Sequence, residues 1–77
     1  MGFYTSVRWA KLHFILGEVI YRLGEREPGT ERFKEAVAVW EAILTVGSSE
    51  LPSWIVRGAR SSINMVRTEI SWRLQKV

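Results

Sequence analysis

The chain has 77 residues, 47% of them hydrophobic, with a formal charge of +3, no cysteine and one histidine, His13. That length holds one domain, and the apolar content argues against disorder. The missing cysteines exclude disulfides and thiolate metal sites, so of the aids a small scaffold needs, only oligomerisation or unusually good helix packing remains. A histidine-based metal site would need ligands from another chain, so neither metal nor cofactor is expected.

The first predicted helix runs from about Tyr4 to Leu23. Arg8, Lys11, Glu18 and Arg22 fall close to one stripe, and nearly everything else is apolar: Val7, Trp9, Leu12, Phe14, Ile15, Leu16, Val19, Ile20, Tyr21 and Leu23. A single neighbouring helix cannot cover an apolar surface that wide. Thr5 or Ser6 is the expected cap at its start, and Gly24 the expected C′ residue at its end. The connection is expected to be the loop Gly24–Gly29, because Pro28 disfavours helix at Glu27 and Pro-Gly favours a turn.

Thr30 then serves as N-cap for a second helix over about Glu31–Val46, with Glu31 facing the positive helix end. Phe33, Ala36, Val37, Trp40, Ile43 and Leu44 recur at spacings of three and four, which is a core-facing stripe. Gly47-Ser48-Ser49 ends it. Ser49 and Pro52 start a third helix running to about Gln75, whose seam is Ile55, Ala59, Ile63, Val66, Ile70 and Leu74. No strand pattern competes, so the expected fold is all-α: an antiparallel helical hairpin followed by a long third helix.

The order Leu16-Gly17, then Ala36 and Trp40 four apart, resembles a tetratricopeptide-type helical repeat. The stretch Leu23 to Arg32 is similar to the extended inter-helix turn of a bacterial variant of these repeats, and Glu35 to Leu44 to its second helix. The resemblance spans roughly Trp9 to Leu44, under half of the chain, and implies that Leu16, Gly17, Ala36 and Trp40 form the hairpin core where the two helices cross closely. The turn is longer than in the common repeat, Ile43 stands where a small Ala is usual, and Val39 is bulkier than expected. Trp54 echoes Trp9 and begins a degraded second copy, with Ser61-Ser62 where Leu-Gly belongs and no partner helix after it. Repeat folds need three or more units to bury a continuous core. With about one and a half repeats and no polar capping helix, apolar faces stay open unless a second chain covers them. One repeat, a truncated second and a bare Met-Gly start also fit a designed or excised repeat fragment.

Catalytic chemistry is not expected. His13 lies alone in an apolar helix, Ser61 and Ser62 lie within a helix and not on a strand-to-helix elbow, and the glutamates read as solvated surface charge. Glycines 24 and 29 lack the preceding strand and following Lys-Ser/Thr of a phosphate loop. Gly2 with Ser6 only loosely matches a myristoylation pattern. Arg8, Lys11 and Glu18 interrupt the apolar run of the first helix and argue against a membrane span, and the missing cysteines fit a reducing, cytoplasmic compartment.

Two function classes follow. The leading expectation is a non-catalytic interaction, scaffold or self-assembly module, most simply a homodimer, with Trp9, Ile15, Val39, Trp54, Met65 and Trp72 at the contact between chains. Aromatic residues off the main seam of a helix mark a second core face or an interface. The alternative is nucleic-acid or anionic-surface binding by the basic third helix through Arg57, Arg60, Arg67 and Arg73. It is the weaker expectation, because these charges spread around the helix.

Overall fold

A computed structural model describes residues 3–47 and 51–75. They form an all-α chain of three helices, α1 (Phe3–Arg26), α2 (Glu31–Gly47) and α3 (Ser53–Gln75), with no strand among the described residues. Both α1 and α3 pack along α2 and touch each other only lightly. The result is elongated, 46 × 17 × 15 Å.

Two of the three helices supply most of the core. Phe33, Ala36, Val37, Trp40 and Ile43 come from α2, and Ile55, Ala59, Ile63 and Val66 from α3, with Leu51 just before α3. These are the stripes that spacings of three and four set on one side of each helix. Leu74, at the end of the expected α3 seam, is instead 60% exposed. Helix geometry turns it about 60° away from the centre of that stripe.

Helix α1 joins the core differently. Among the described residues, Ala10 is its one fully buried hydrophobic residue, and with Gly17 and Gly24 it makes a line of small, buried positions seven apart. Residues seven apart lie on the same side of a helix. The aromatic rings of α2, also seven apart, seat on that line. A Cβ at Gly17 would lie 2.6 Å from Trp40 Cε2 and closer still to the indole nitrogen, and a Cβ at Gly24 would lie 2.8 Å from the Phe33 ring. The Trp40 Nε1–H donates to the Phe14 carbonyl at 3.2 Å, which satisfies the indole inside the core. A third seat joins α1 to α3, because a Cβ on Gly58 would stand only 2.7 Å from the Phe14 ring.

Several local expectations change. Thr5 and Ser6 lie inside α1, which starts at Phe3, so neither caps it. Helix α1 continues through Gly24 to Arg26, and the connection shrinks to residues 27–30. Gly24 is a ring seat inside the helix, not a C′ residue, and Glu25 and Arg26 propagate helix until Pro28 restricts Glu27. Leu16 is 46% exposed and stands outside the hairpin core. The close crossing belongs to its neighbour Gly17, and one residue rotates a side chain by about 100° around the helix. Gly17 and Trp40 do meet at the crossing, and Ala36 is buried in the core. At the start of α2, the Lys34 N–H donates to the Thr30 carbonyl at 3.0 Å, the first helical bond expected of an N-cap residue. Pro52 accepts from Ile55 and Val56 at the start of α3. The expected cap Ser49 lies outside the described residues.

Gly17→Ala is expected to lose about 1–3 kcal/mol of stability through overpacking, although Ala favours helix over Gly by about 1 kcal/mol. Gly29→Ala, where a Cβ meets nothing nearer than 4.0 Å, is expected to stay within about 0.5 kcal/mol. Trp40→Ala should lose about 3–5 kcal/mol, most of what a domain this small possesses. Urea denaturation of the three variants measures all of these.

Candidate protein-interaction surface

The basic residues of α3 divide into two groups. Arg73 turns inward to the hairpin end. Its Nη1 donates to the carbonyls of Glu27 at 2.6 Å, Gly29 at 2.8 Å and Gly24 at 3.2 Å, while its guanidinium carbon sits 4.5 Å from the centre of the Phe33 ring. The last turn of a helix leaves carbonyls without intrahelical partners and carries the negative end of the dipole. Arg73 answers both needs from the far end of the chain. Tyr21 stacks on the same Phe33 ring, with centroids 5.3 Å apart. Phe33 is therefore held by Gly24, Tyr21 and Arg73 together.

Arg67 donates to the Glu41 carboxylate of α2. Two of the four arginines expected to bind anions thus serve contacts within the chain, because their helix face borders the α1–α2 turn and α2. Arg57 and Arg60 remain exposed.

His13 is engaged as well. Its Nδ1–H donates to the Trp9 carbonyl at 3.0 Å, and its ring stacks on Trp9 with centroids 4.0 Å apart. Among the described residues, no group of His, Cys, Asp or Glu side chains could hold a metal ion, and no helix is long and apolar enough to cross a membrane.

What remains is an apolar outer surface. On α1, Leu12, Leu16, Val19 and Leu23 are 44–66% exposed, with Ile15 beside them. Their spacings of four, three and four make a straight seam on the face turned away from α2. On the edge of α3 nearest α1, Trp54, Met65 and Trp72 are each about half exposed. Between α1 and α3 a shallow hollow is lined by Lys11, Phe14, Ile15, Glu18 and Trp54, where the Lys11 ammonium stands 6.0 Å from the Trp54 ring centre.

Of the six expected contact residues, Ile15, Trp54, Met65 and Trp72 lie on this surface. Trp9 is half-buried against the core, and Val39 is half-buried on α2. Sequence reasoning counted Leu12, Leu16, Val19 and Leu23 among the apolar residues of α1 but did not single them out as the outward seam. The four-three-four spacing was the available signal.

The outer face of α3 is the opposite in character. Arg57, Arg60, Asn64, Arg67, Ser71 and Gln75 are all exposed. Helix α3 is not uniformly polar, because Trp54, Met65, Trp72 and Leu74 are also exposed on it.

No protein family, curated protein or solved structure matches this chain.

Arg73→Met, which keeps the stem and removes the donors, is expected to lose about 1–2 kcal/mol, and Arg73→Lys recovers only part, because a point charge cannot bridge several carbonyls like a planar fork. Thermal denaturation of both variants checks this. The Tyr21 phenol is held above its ordinary value of 10.0, first by burial and then by the nearby Glu25 carboxylate. The unfolded chain therefore releases that proton first as pH rises. Stability relative to Tyr21→Phe is expected to be level below about pH 10 and to fall above it, through the folded-state value. Melting curves of the two proteins from about pH 8 to about pH 11 measure the difference.

Proposed function

We propose that this chain is a non-catalytic self-association module, a scaffold element of tetratricopeptide-like type that works by covering the outer face of α1. The observation that carries this reading is the seam Leu12, Leu16, Val19 and Leu23. Four large aliphatic side chains in line, each about half exposed or more, leave apolar area in water that a partner surface would bury at roughly 25 cal/mol per Å². Contiguous exposed apolar patches of this kind mark interaction sites. Ile15, Trp54, Met65 and Trp72 extend the apolar surface beyond the seam.

The alternative, phosphate binding along α3, has less support. It rests on Arg57 and Arg60 alone once Arg67 and Arg73 are engaged within the chain.

The test is sedimentation equilibrium over a range of concentrations. The wild-type chain is expected to sediment above its 8.9 kDa monomer mass. Leu16→Glu/Val19→Glu is expected to sediment as a monomer that keeps its helical circular dichroism, because both side chains already face solvent within one copy. A wild-type monomer at high concentration, or an oligomer indifferent to the double substitution, contradicts the reading.

A further inference from the structure

We infer that the seam of α1 is occupied by α1 of one second copy, lying antiparallel about a two-fold axis between residues 17 and 18, so that Leu12 faces Leu23 and Leu16 faces Val19 of the other copy. This rests on the association reading above and specifies its geometry. The first argument is the asymmetry of the two ends. A head-to-tail stack needs two complementary faces, one at each end of the chain, and would continue without closing. Here α3 presents arginines and amides outward, a poor cover for four aliphatic side chains. The exposed Trp54, Met65 and Trp72 lie to one side of that polar face, so the aliphatic seam is matched best by itself, in an isologous contact that closes at two.

The second argument is reach. Helix α1 has 24 residues and so offers an edge about 36 Å long, along which the same helix of a second copy can lie.

The third argument sets the direction. The spacing four, three, four reads the same from either end, so the seam packs on its own reverse with each row filled. A parallel pair would set Arg8, Lys11, Arg22 and Arg26 each beside its own copy. The antiparallel pair brings Arg8 and Lys11 against the end holding Arg22, Glu25, Arg26 and Glu27, whose charges cancel. It also sets each helix dipole against the opposite end of the other.

Cysteine cross-linking tests the register cleanly, because the chain has no cysteine of its own. Two full-length variants are made, Leu12→Cys and Leu23→Cys, and each is oxidised alone and as an equal mixture. Positions 12 and 23 are about 16 Å apart along the helix, while a disulfide needs Cα atoms within about 7 Å. The mixture is expected to give, as its dominant cross-linked species, the disulfide that joins one Leu12→Cys chain to one Leu23→Cys chain. Each variant alone is expected to stay mostly uncross-linked. Efficient cross-linking of Leu12→Cys with itself means a parallel pair and overturns the inference while leaving self-association intact. A wild-type oligomer that yields no cross-link in any of the three samples overturns it too, because α1 is then not against α1. A wild-type chain that sediments as a monomer removes the association reading itself, and the sedimentation experiment reads that outcome separately.

Discussion

The seating of two α2 rings on two α1 glycines sets the rest of this structure. Phe33 and Trp40 are seven apart, and so are Gly24 and Gly17. Antiparallel helices with matching seven-residue spacings resist small shifts of register, since a slip of one residue would drive an indole into a side chain. Close packing makes such a slip costly, because interiors hold few voids and rings do not compress. The Trp40 hydrogen bond to the Phe14 carbonyl fixes the same register by a second means. Phe14 in turn rests on Gly58 and so carries the alignment across to α3. Arg73 closes the arrangement by tying the last turn of α3 to the end of α1.

Helix α1 seats Ala10, Gly17 and Gly24 deepest and packs Val7, Trp9, Phe14, Ile20 and Tyr21 partly against the core. The same register sends Leu12, Ile15, Leu16, Val19 and Leu23 outward. The exposed seam is therefore a consequence of how α1 is held, not an accident of surface composition. A large side chain at position 17 would collide inside the chain, whereas the leucines at 12, 16 and 23 stand 44–66% exposed.

Much of this was legible in the residues. The α2 stripe from Phe33 to Ile43 and the α3 stripe from Ile55 to Val66 follow from spacing alone and are buried as that spacing requires. Helix α1 was harder to read because apolar residues occupy most of its circumference. Spacing then does not say which side faces inward, and of the pair Leu16 and Gly17 expected together in the core, Gly17 seats there while Leu16 stays 46% exposed. The useful signal was the line of small residues at 10, 17 and 24, which a search for large hydrophobes passes over. Gly24 misled for a related reason. A glycine near a helix end reads as a stop, yet here the helix continues and the missing Cβ makes room for Phe33. The arginines of α3 were legible as basic but not as engaged, because the carbonyls that Arg73 binds are 44 to 49 residues away in sequence.

The central claim is that the α1 register turns Leu12, Leu16, Val19 and Leu23 toward a second molecule. It is tested most directly by isotope-filtered NMR on a mixture of labelled and unlabelled chains, which detects only contacts between copies. The account predicts intermolecular methyl contacts among those four side chains and none from Ile43, Ile55 or Ile63. Contacts between copies confined to α3, or seam methyls that contact only their own α2, would contradict it.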